Sequence, residues 1–479
     1  MDKSKIPYRL KRIAHWNKVS TERGNPKHFG TFYHDLLNDY YKFMVQDDLK
    51  ILELGCGHGG LLAHLNPSYG VGVDFSEKMI DTAMKKHPHL DFIHSDAHEI
   101  NINEKFDVII LSDIVNDLWD VQLLFNKIYN LSHPKTRVLL NYDSKMWRPP
   151  LYLAKILGLG ANLLDQNWLD NHDVFNLLEL ENFEVVNHTP RILAPLKIKY
   201  VSTFLNKYLV QLIPFRFFAL TNVVCARPIE KSSENTISET LPSVSVIVAA
   251  RNEAGHIEEI LKRIPQFGRK VEIIFVEGNS TDNTYEVIEE TIKLFPEKDC
   301  KLFKQPGKGK GDAVRLGFER ATGDVLMILD ADMTVPPEDL PRFYNALVSG
   351  KGDFINGVRL VYPMESEAMR FFNIIGNKFF SIAFSWLLGQ KIKDTLCGTK
   401  VLFKKDYETL VKNRHYFGDF DPFGDFDLIF GAAKMNMKIV EMPIRYRDRE
   451  YGDTNISRWS HGWLLLKMVV FAAKKIKFI

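Results

Sequence analysis

The chain has 479 residues, a 45% apolar share and a formal net charge of +2. That length suits two or three globular domains, and so balanced a charge gives no bulk basicity to argue for nucleic acid as a partner. The cysteines, Cys56, Cys225, Cys300 and Cys397, are far apart and form no C-x-x-C pair, which excludes a disulfide framework or a zinc pattern and suits a reducing cytosol.

The N-terminal MDKSKIPYRLKRIAHW has no continuous apolar core, so it is not a secretory signal. Short apolar runs then alternate with helix-like segments. KILELG (50–55), GVGV (70–73), FDVIIL (106–111) and TRVLLNY (136–142) read as buried strands, with helices over 76–86 and 120–131. Such alternation implies crossover connections and a parallel sheet. FEVVNH (183–188) and ALTNVVCA (219–226) read as late strands, and the polar residues 228–242 as a linker. The pattern restarts with SVSVIVAA (243–250), VEIIFVE (271–277), a helix from Asp282 and DVLMILD (324–330). The expected fold class is therefore α/β, with two doubly wound units at 1–227 and 243–479. No apolar run reaches the ~18 residues of a membrane span. Residues 371–388 and 463–473 come closest, the first broken by Asn373, Asn377 and Lys378, the second too short.

In the first unit, LELGCGHGG (52–60) follows a strand and precedes a helix. Gly55, Gly57 and Gly59 can take positive φ and let a ligand touch backbone. GVGVD then ends a strand on Asp74, where a carboxylate can grip both hydroxyls of a ribose. The bland alternative is a structural turn before a helix. Together with Glu53, Asp96 and FDVIILSDIVNDL, this set resembles the class I S-adenosylmethionine-dependent methyltransferases over roughly 49–142. The resemblance implies a Rossmann-like fold. It places Glu53 and the glycines around the amino-acid end of S-adenosyl-L-methionine, Asp74 on its ribose, and Asp96 near the adenine amine, with Ala97 in the same set. Methyl transfer from a sulfonium needs mostly positioning, with a base if the acceptor is a hydroxyl. The family often carries a His after the fourth strand; Asn116 and Asp117 stand there here. Asp117 is a candidate base, set against a solvated acid or a helix cap near Asp120. His58, His94 and His98 read as structural.

In the second unit, ILDADMT (328–334) sets Asp330 at a strand end and Asp332 two residues on. Such carboxylates repel, and a divalent cation relieves that while using their oxygens as hard ligands. The alternative is a solvated turn with helix-capping acids. With AARNE (249–253), VEGNSTDNT (276–284) and GKGKGD (307–312) leading up to it, this order resembles the family 2 glycosyltransferases over roughly 244–462. The resemblance implies a GT-A fold and a nucleoside-diphosphate sugar as donor. Ala249, Arg251, Glu253, Glu277 and Lys310 are then the donor-binding set. Asp330 and Asp332 hold Mg²⁺ or Mn²⁺, and Asp425 or Asp427 in FGDFD stands where the family carries a base.

Arg359, Arg370 and Arg449, with DTLCGTK (394–400) and IRYRDREYGDTNISRW (444–459), resemble the polyprenyl-phosphate subgroup typified by dolichyl-phosphate mannose synthase. The resemblance implies that Arg359 and Arg370 hold the lipid phosphate of the acceptor and Arg449 a donor or acceptor phosphate, which their planar, permanently charged forks suit. Pairing with nearby acids such as Glu365 and Glu367 is the alternative. The expectation is a bifunctional transferase. Its sugar acceptor is a polyprenyl phosphate or a glycan, and its methyl acceptor is unknown. The alternative is a glycosyltransferase with a non-catalytic methyltransferase-like binding module. A third reading, a nucleotide-sensing protein with no turnover, stays open. The expected location is cytoplasmic, with peripheral contact to the membrane's cytoplasmic face left open.

Overall fold

The computed structural model describes residues 5–22, 31–156, 164, 166–167, 169–229, 241–359, 371–395, 397–413, 426–444 and 458–478. The chain divides into two compact units. Unit 1 is Met1–Ser232 with Lys477–Ile479, and unit 2 is Ser233–Ile476.

Unit 1 opens with helices α1 (Lys5–Glu22) and α2 (Thr31–Met44). Its sheet is built from β1 (Lys50–Leu54), β2 (Tyr69–Asp74), β3 (Asp91–His94), β4 (Phe106–Leu111), β5 (Ser132–Asp143), β6 (Phe183–Arg191) and β7 (Thr221–Pro228). The strand order is β3-β2-β1-β4-β5-β7-β6. The strands from β3 through β5 pair in parallel, and β7 runs antiparallel to both neighbours. Residues 51–54 and 108–111 are wholly buried, as expected for strands covered by helices on both faces. The flanking helices begin where a side chain can accept an orphan amide. Ser76 caps Glu77–Lys86 by accepting from Met79 N at 3.3 Å, and Asp120 caps Val121–Asn130 by accepting from Leu123 N at 2.9 Å. The order reverses between β1 and β4, so the crevice at their carboxyl ends is where this topology opens a ligand site.

Unit 2 contains β8 (Val244–Ala250), β9 (Val271–Glu277), β10 (Asp299–Lys304), β11 (Val325–Asp330), β12 (Phe354–Val358), β13 (Lys400–Phe403) and β14 (Ile439–Pro443), ordered β10-β9-β8-β11-β13-β12-β14. The strands from β10 to β11 are parallel, while β13 lies antiparallel between β11 and β12. Its core is aliphatic, with Val246, Ile273, Phe275, Met327 and Leu329 all excluded from solvent. The expected helix from Asp282 starts at Thr284, because Asp282 Oδ1 takes up the Thr284 amide at 3.1 Å. Sequence reading passed over β10, β12, β13 and β14. Among the described residues, no helix is long and apolar enough to cross a membrane.

Candidate functional site

Of the residues expected to bind a cofactor in unit 1, Glu53, Gly55, Gly57, Asp74, Asp96 and Ala97 line one cavity of about 350 Å³, while Gly59 is not on its wall. The turn after β1 is pinned by Gly55 and Cys56 amides donating to Val73 O at 2.8 and 3.1 Å. Gly57 has φ +52, and a Cβ built there would meet nothing within 4 Å, so its bare backbone faces open space. Gly59 has φ +73, and a Cβ there would sit 2.6 Å from Phe92. Asp74 is fixed by the amides of Gly57 (3.0 Å, to Oδ2) and Ser76 (2.8 Å, to Oδ1). Burial still holds its carboxyl above the usual range. Glu53 accepts from Leu62 N at 3.1 Å, and burial pushes its carboxyl up to about 8.

Asp96 has the opposite balance. Burial raises its pKa, but hydrogen bonds from the His98 ring (2.8 Å) and amide (2.9 Å), with Arg9 Nε at 3.3 Å, outweigh it and leave the carboxyl at about 2. His98 Nε2 lies 2.9 Å from Asp120 O. The histidine is therefore a positioning group for Asp96. His58 lines the cavity, and His94 Nε2 lies 3.0 Å from Phe75 O.

The sequence reading missed α1. Tyr8, Arg9, Arg12 and Trp16 of this helix form part of the cavity wall. Asp117, the candidate base, anchors it: Arg12 Nε donates to Asp117 Oδ1 at 2.9 Å and Trp16 Nε1 to Oδ2 at 2.8 Å. Neither the solvated-acid nor the helix-cap reading of Asp117 anticipated this, since the capping role falls to Asp120. No local sequence signal joins residues 105 positions apart. A partly buried polar cluster also lies past β4, where Asp113 Oδ1 accepts from Tyr33 Oη at 2.8 Å and from Asn141 Nδ2 at 2.5 Å.

In unit 2 the register aligns Ala249 with Asp330 and Ala250 with Glu277. Three adjacent parallel strands thus deliver Ala249, Glu277 and Asp330 to one carboxyl edge. The loops beyond are stitched together. Asn252 N donates to Ser280 Oγ at 3.0 Å, and Thr281 N donates to Asn252 Oδ1 at 2.8 Å. Buried Glu277 accepts from Ser280 N at 2.5 Å, and Glu253 holds His256 Nδ1 at 2.9 Å, while Arg251 is exposed. Lys310 opens helix Lys310–Arg320 and places Nζ 2.5 Å from Asp330 Oδ1. Burial raises the Asp330 pKa, and Lys310, with Lys400 and Arg359 nearby, more than reverses that, so the carboxyl stays below its ordinary range. Asp332 accepts from Thr334 Oγ1 at 2.8 Å.

Gly398 and Lys400 were missed as site residues. A Cβ on Gly398 would overlap both the Asp330 carboxylate and Lys310 Nζ. Lys400 is fully buried, and its Nζ donates to Cys397 O. Arg359 grips Asp394 through Nε (2.7 Å) and Nη2 (2.8 Å), with Asp394 wholly buried. Glu365 and Glu367, the acids weighed as partners from the sequence, lie outside the described residues. Asp427 Oδ2 lies 3.2 Å from Arg315 Nη2. Asp425, Arg370 and Arg449 also lie outside the described residues.

Asp330 and Asp332 offer two hard oxygen donors, and an ammonium already sits against one of them. Among the described residues, no group of three or more His, Cys, Asp or Glu could hold a metal. A cation here would draw its remaining ligands from a bound diphosphate or water, a donor set that fits Mg²⁺ or Mn²⁺.

With both sites laid out, comparison with known proteins assigns their classes. Residues 245–411 match the model for glycosyl transferase family 2, and residues 51–135 match that for a methyltransferase domain. The chain therefore carries a segment matching each model, one in each unit, and both units are built on mixed, parallel-rich α/β sheets. The low-salt glycan biosynthesis hexosyltransferase Agl6 of Haloferax volcanii is 28% identical over 53% of this chain and 60% of its own length. A dolichol-phosphate mannosyltransferase of Pyrococcus furiosus is 31% identical over 44% of this chain and 59% of its own. The chain thus spans about three fifths of these curated relatives. Among solved structures, glucosyl-3-phosphoglycerate synthase of Mycobacterium tuberculosis, in complex with Mn²⁺, UDP and glucosyl-3-phosphoglycerate, is 15% identical. It covers 49% of this chain and 80% of its own, with a TM-score of 0.36.

Proposed function

We propose that the chain is a bifunctional transferase with domain limits 1–227 and 243–479, joined by the linker 228–242. The second domain moves a hexose from a nucleoside-diphosphate sugar to a polyprenyl phosphate or a glycan. The names of the hexosyltransferase and mannosyltransferase relatives support that substrate class. The observation that carries the reading is the carboxyl edge where Ala249, Glu277 and Asp330 converge, with Lys310 against Asp330.

Glu277, Ala249, Arg251 and Glu253 hold the nucleoside of the donor, and Lys310 neutralises its phosphates. Mg²⁺ or Mn²⁺ held by Asp330 and Asp332 would stabilise the departing nucleoside diphosphate. The acceptor oxygen attacks the anomeric carbon as the bond to the diphosphate breaks, and configuration inverts. A phosphate acceptor is already anionic near neutrality and needs no base. A hydroxyl acceptor hands its proton to Asp425 or Asp427. Arg359, Arg370 and Arg449 are the phosphate-binding candidates, and Asp394 orients the first of them.

The first domain binds S-adenosyl-L-methionine in the cavity of unit 1, with Asp74 on the ribose, Glu53 and the glycines at the amino-acid end and Asp96 with Ala97 at the adenine. Bound there, it would supply an activated methyl group. A second reading keeps cofactor binding without methyl transfer. It is favoured by the engagement of Asp117 with Arg12 and Trp16. Label from methyl-labelled cofactor entering a lipid or glycan fraction decides between them.

The test of the main reading is a panel of radiolabelled sugar nucleotides incubated with lipid extract and Mn²⁺. Label should enter the organic phase with the intact chain and not with Asp332→Ala. No transfer from any sugar nucleotide to lipid or glycan would overturn the reading.

A further inference from the structure

Unit 1 carries a surface that neither site uses. Between β6 and β7 the chain runs through residues 192–220, whose cations are Lys197, Lys199, Lys207 and Arg216, with no Asp or Glu among them. Ile192, Val210 and Leu220 are buried, but many of its large apolar side chains point outward: Tyr200 is 78% exposed, Ile213 70% and Phe217 62%, and Phe204 and Phe218 are exposed too. The buried positions include the polar Ser202, Asn206 and Gln211. The usual distribution is inverted here.

The inversion is held rigidly. Asn206 Oδ1 accepts from the amides of Leu193 and Ala194 at 2.8 Å each, and its Nδ2 donates to Ala194 O at 2.7 Å. Ser202 Oγ donates to Leu196 O at 2.5 Å and accepts from Ile198 N at 2.8 Å. Trp147 Nε1 donates to Phe218 O at 2.9 Å. That bond sets helix Arg148–Ile156 beside the segment, with Tyr152 and Ile156 also exposed. Polar groups thus fix the backbone from within while aromatic and aliphatic groups are presented outward.

We propose that this face docks unit 1 on a bilayer with anionic headgroups. Exposed large apolar side chains gathered on one short segment, rather than scattered singly, mark an interaction surface. Aromatic rings with an apolar body suit the headgroup boundary. Basic side chains with no acid between them complement a negative lipid surface rather than a second copy of the same basic face. The proposal stands on unit 1 alone and is independent of the sugar-acceptor reading.

The test uses the full chain with sedimented vesicles of phosphatidylglycerol in phosphatidylcholine, or of phosphatidylcholine alone. The chain should partition to the anionic vesicles, less so as salt is raised. Phe204→Ser with Phe217→Ser should abolish binding. Lys197→Glu with Lys199→Glu, both at exposed positions, should weaken binding to anionic vesicles by at least about 25-fold, at roughly fivefold per lost cation before the added repulsion of the new acids. This lysine pair carries the test if the phenylalanine variant fails to melt cooperatively. Asp332→Ala should bind vesicles normally while losing sugar transfer, which separates failure here from failure of the transferase reading. Wild-type chain that stays in the supernatant, a lysine variant that binds as tightly as wild type, or a face whose variants instead change oligomeric state would each overturn the proposal.

Discussion

Glu53 sits on a strand whose neighbouring residues are wholly buried, and its Oε2 accepts from the Leu62 amide. Burial lifts its carboxyl to about 8, so it is mostly neutral at pH 7 until a cationic group arrives. The folded state therefore binds a proton that the unfolded chain, with an ordinary value near 4.5, releases earlier. Stability from this group is complete below the unfolded value and is lost as pH rises toward 8. Asp143, pushed up to about 7 by burial and by Asp113, adds a slope of the same sign. Glu53→Gln should thus flatten, without abolishing, the fall in melting temperature between pH 5 and pH 8. At pH 8 it should melt at least about 2 °C above wild type, with no gain at pH 5. Equal slopes in thermal scans of the ligand-free proteins would show that Glu53 is not charged by that titration. Gly398 supplies a second test at this scale. Gly398→Ala forces a methyl group against Asp330 and Lys310, so sugar transfer should fall by about 100-fold, as expected for misplacement near the chemistry. Near-wild-type turnover would mean that the two groups can move apart freely.

Helix α1 builds part of the candidate cavity's wall from a polar sequence. Arg12 is 5% exposed, pairs with Asp117 at 2.9 Å and has its guanidinium carbon 3.5 Å from the Tyr8 ring centroid. Removing one partner of a buried pair strands the other at a cost of about 3–5 kcal/mol. In Asp117→Ala that cost should fall on α1 docking. Amides of 5–22 should lose hydrogen-exchange protection while those of β1 and β4 keep theirs, and cofactor affinity should weaken. Unchanged protection across α1 would mean that Asp117 does not anchor it. The same element explains what could be read in advance. The strands β1, β4, β8, β9 and β11 are short segments dominated by apolar residues, and the turn after β1 advertises itself through Gly55, Gly57 and Gly59. Their fold and their acids were legible because pattern and position are local. KIPYRLKRIAHWNKVSTE was not, because its buried arginine is paid for by an acid far along the chain. DCKLFK of β10 is only partly buried along its length, so its apolar signal is diluted. Gly398 was unreadable because the need for a missing side chain arises only where β13 approaches β11. Arg359 was picked out as a phosphate ligand, but its partner Asp394 lies 35 residues away and emerges only from the fold.

Two sites on separate compact units raise the question of whether they act as one. Asp74 is held by backbone of its own unit, and Asp330 by Lys310 of its own. Among the described residues, no side chain belongs to both sets. Coupling between ligands must be reciprocal, so a cofactor that tightened sugar-nucleotide binding would itself be tightened by the sugar nucleotide. Two units with separate ligand sets predict no such exchange. Titration calorimetry should give the same heat and affinity for S-adenosyl-L-methionine with and without a saturating nucleoside diphosphate and Mn²⁺. Asp74→Ala, which removes a charged hydrogen-bond acceptor for the ribose, should weaken the cofactor by about 2 kcal/mol, some 30-fold, and leave sugar transfer intact. Asp332→Ala should abolish sugar transfer and leave the cofactor heat unchanged. Loss of both activities in either variant, or a shift of more than about threefold in one affinity on saturating the other site, would mean that the fusion couples its two chemistries energetically and does not merely keep them on one chain.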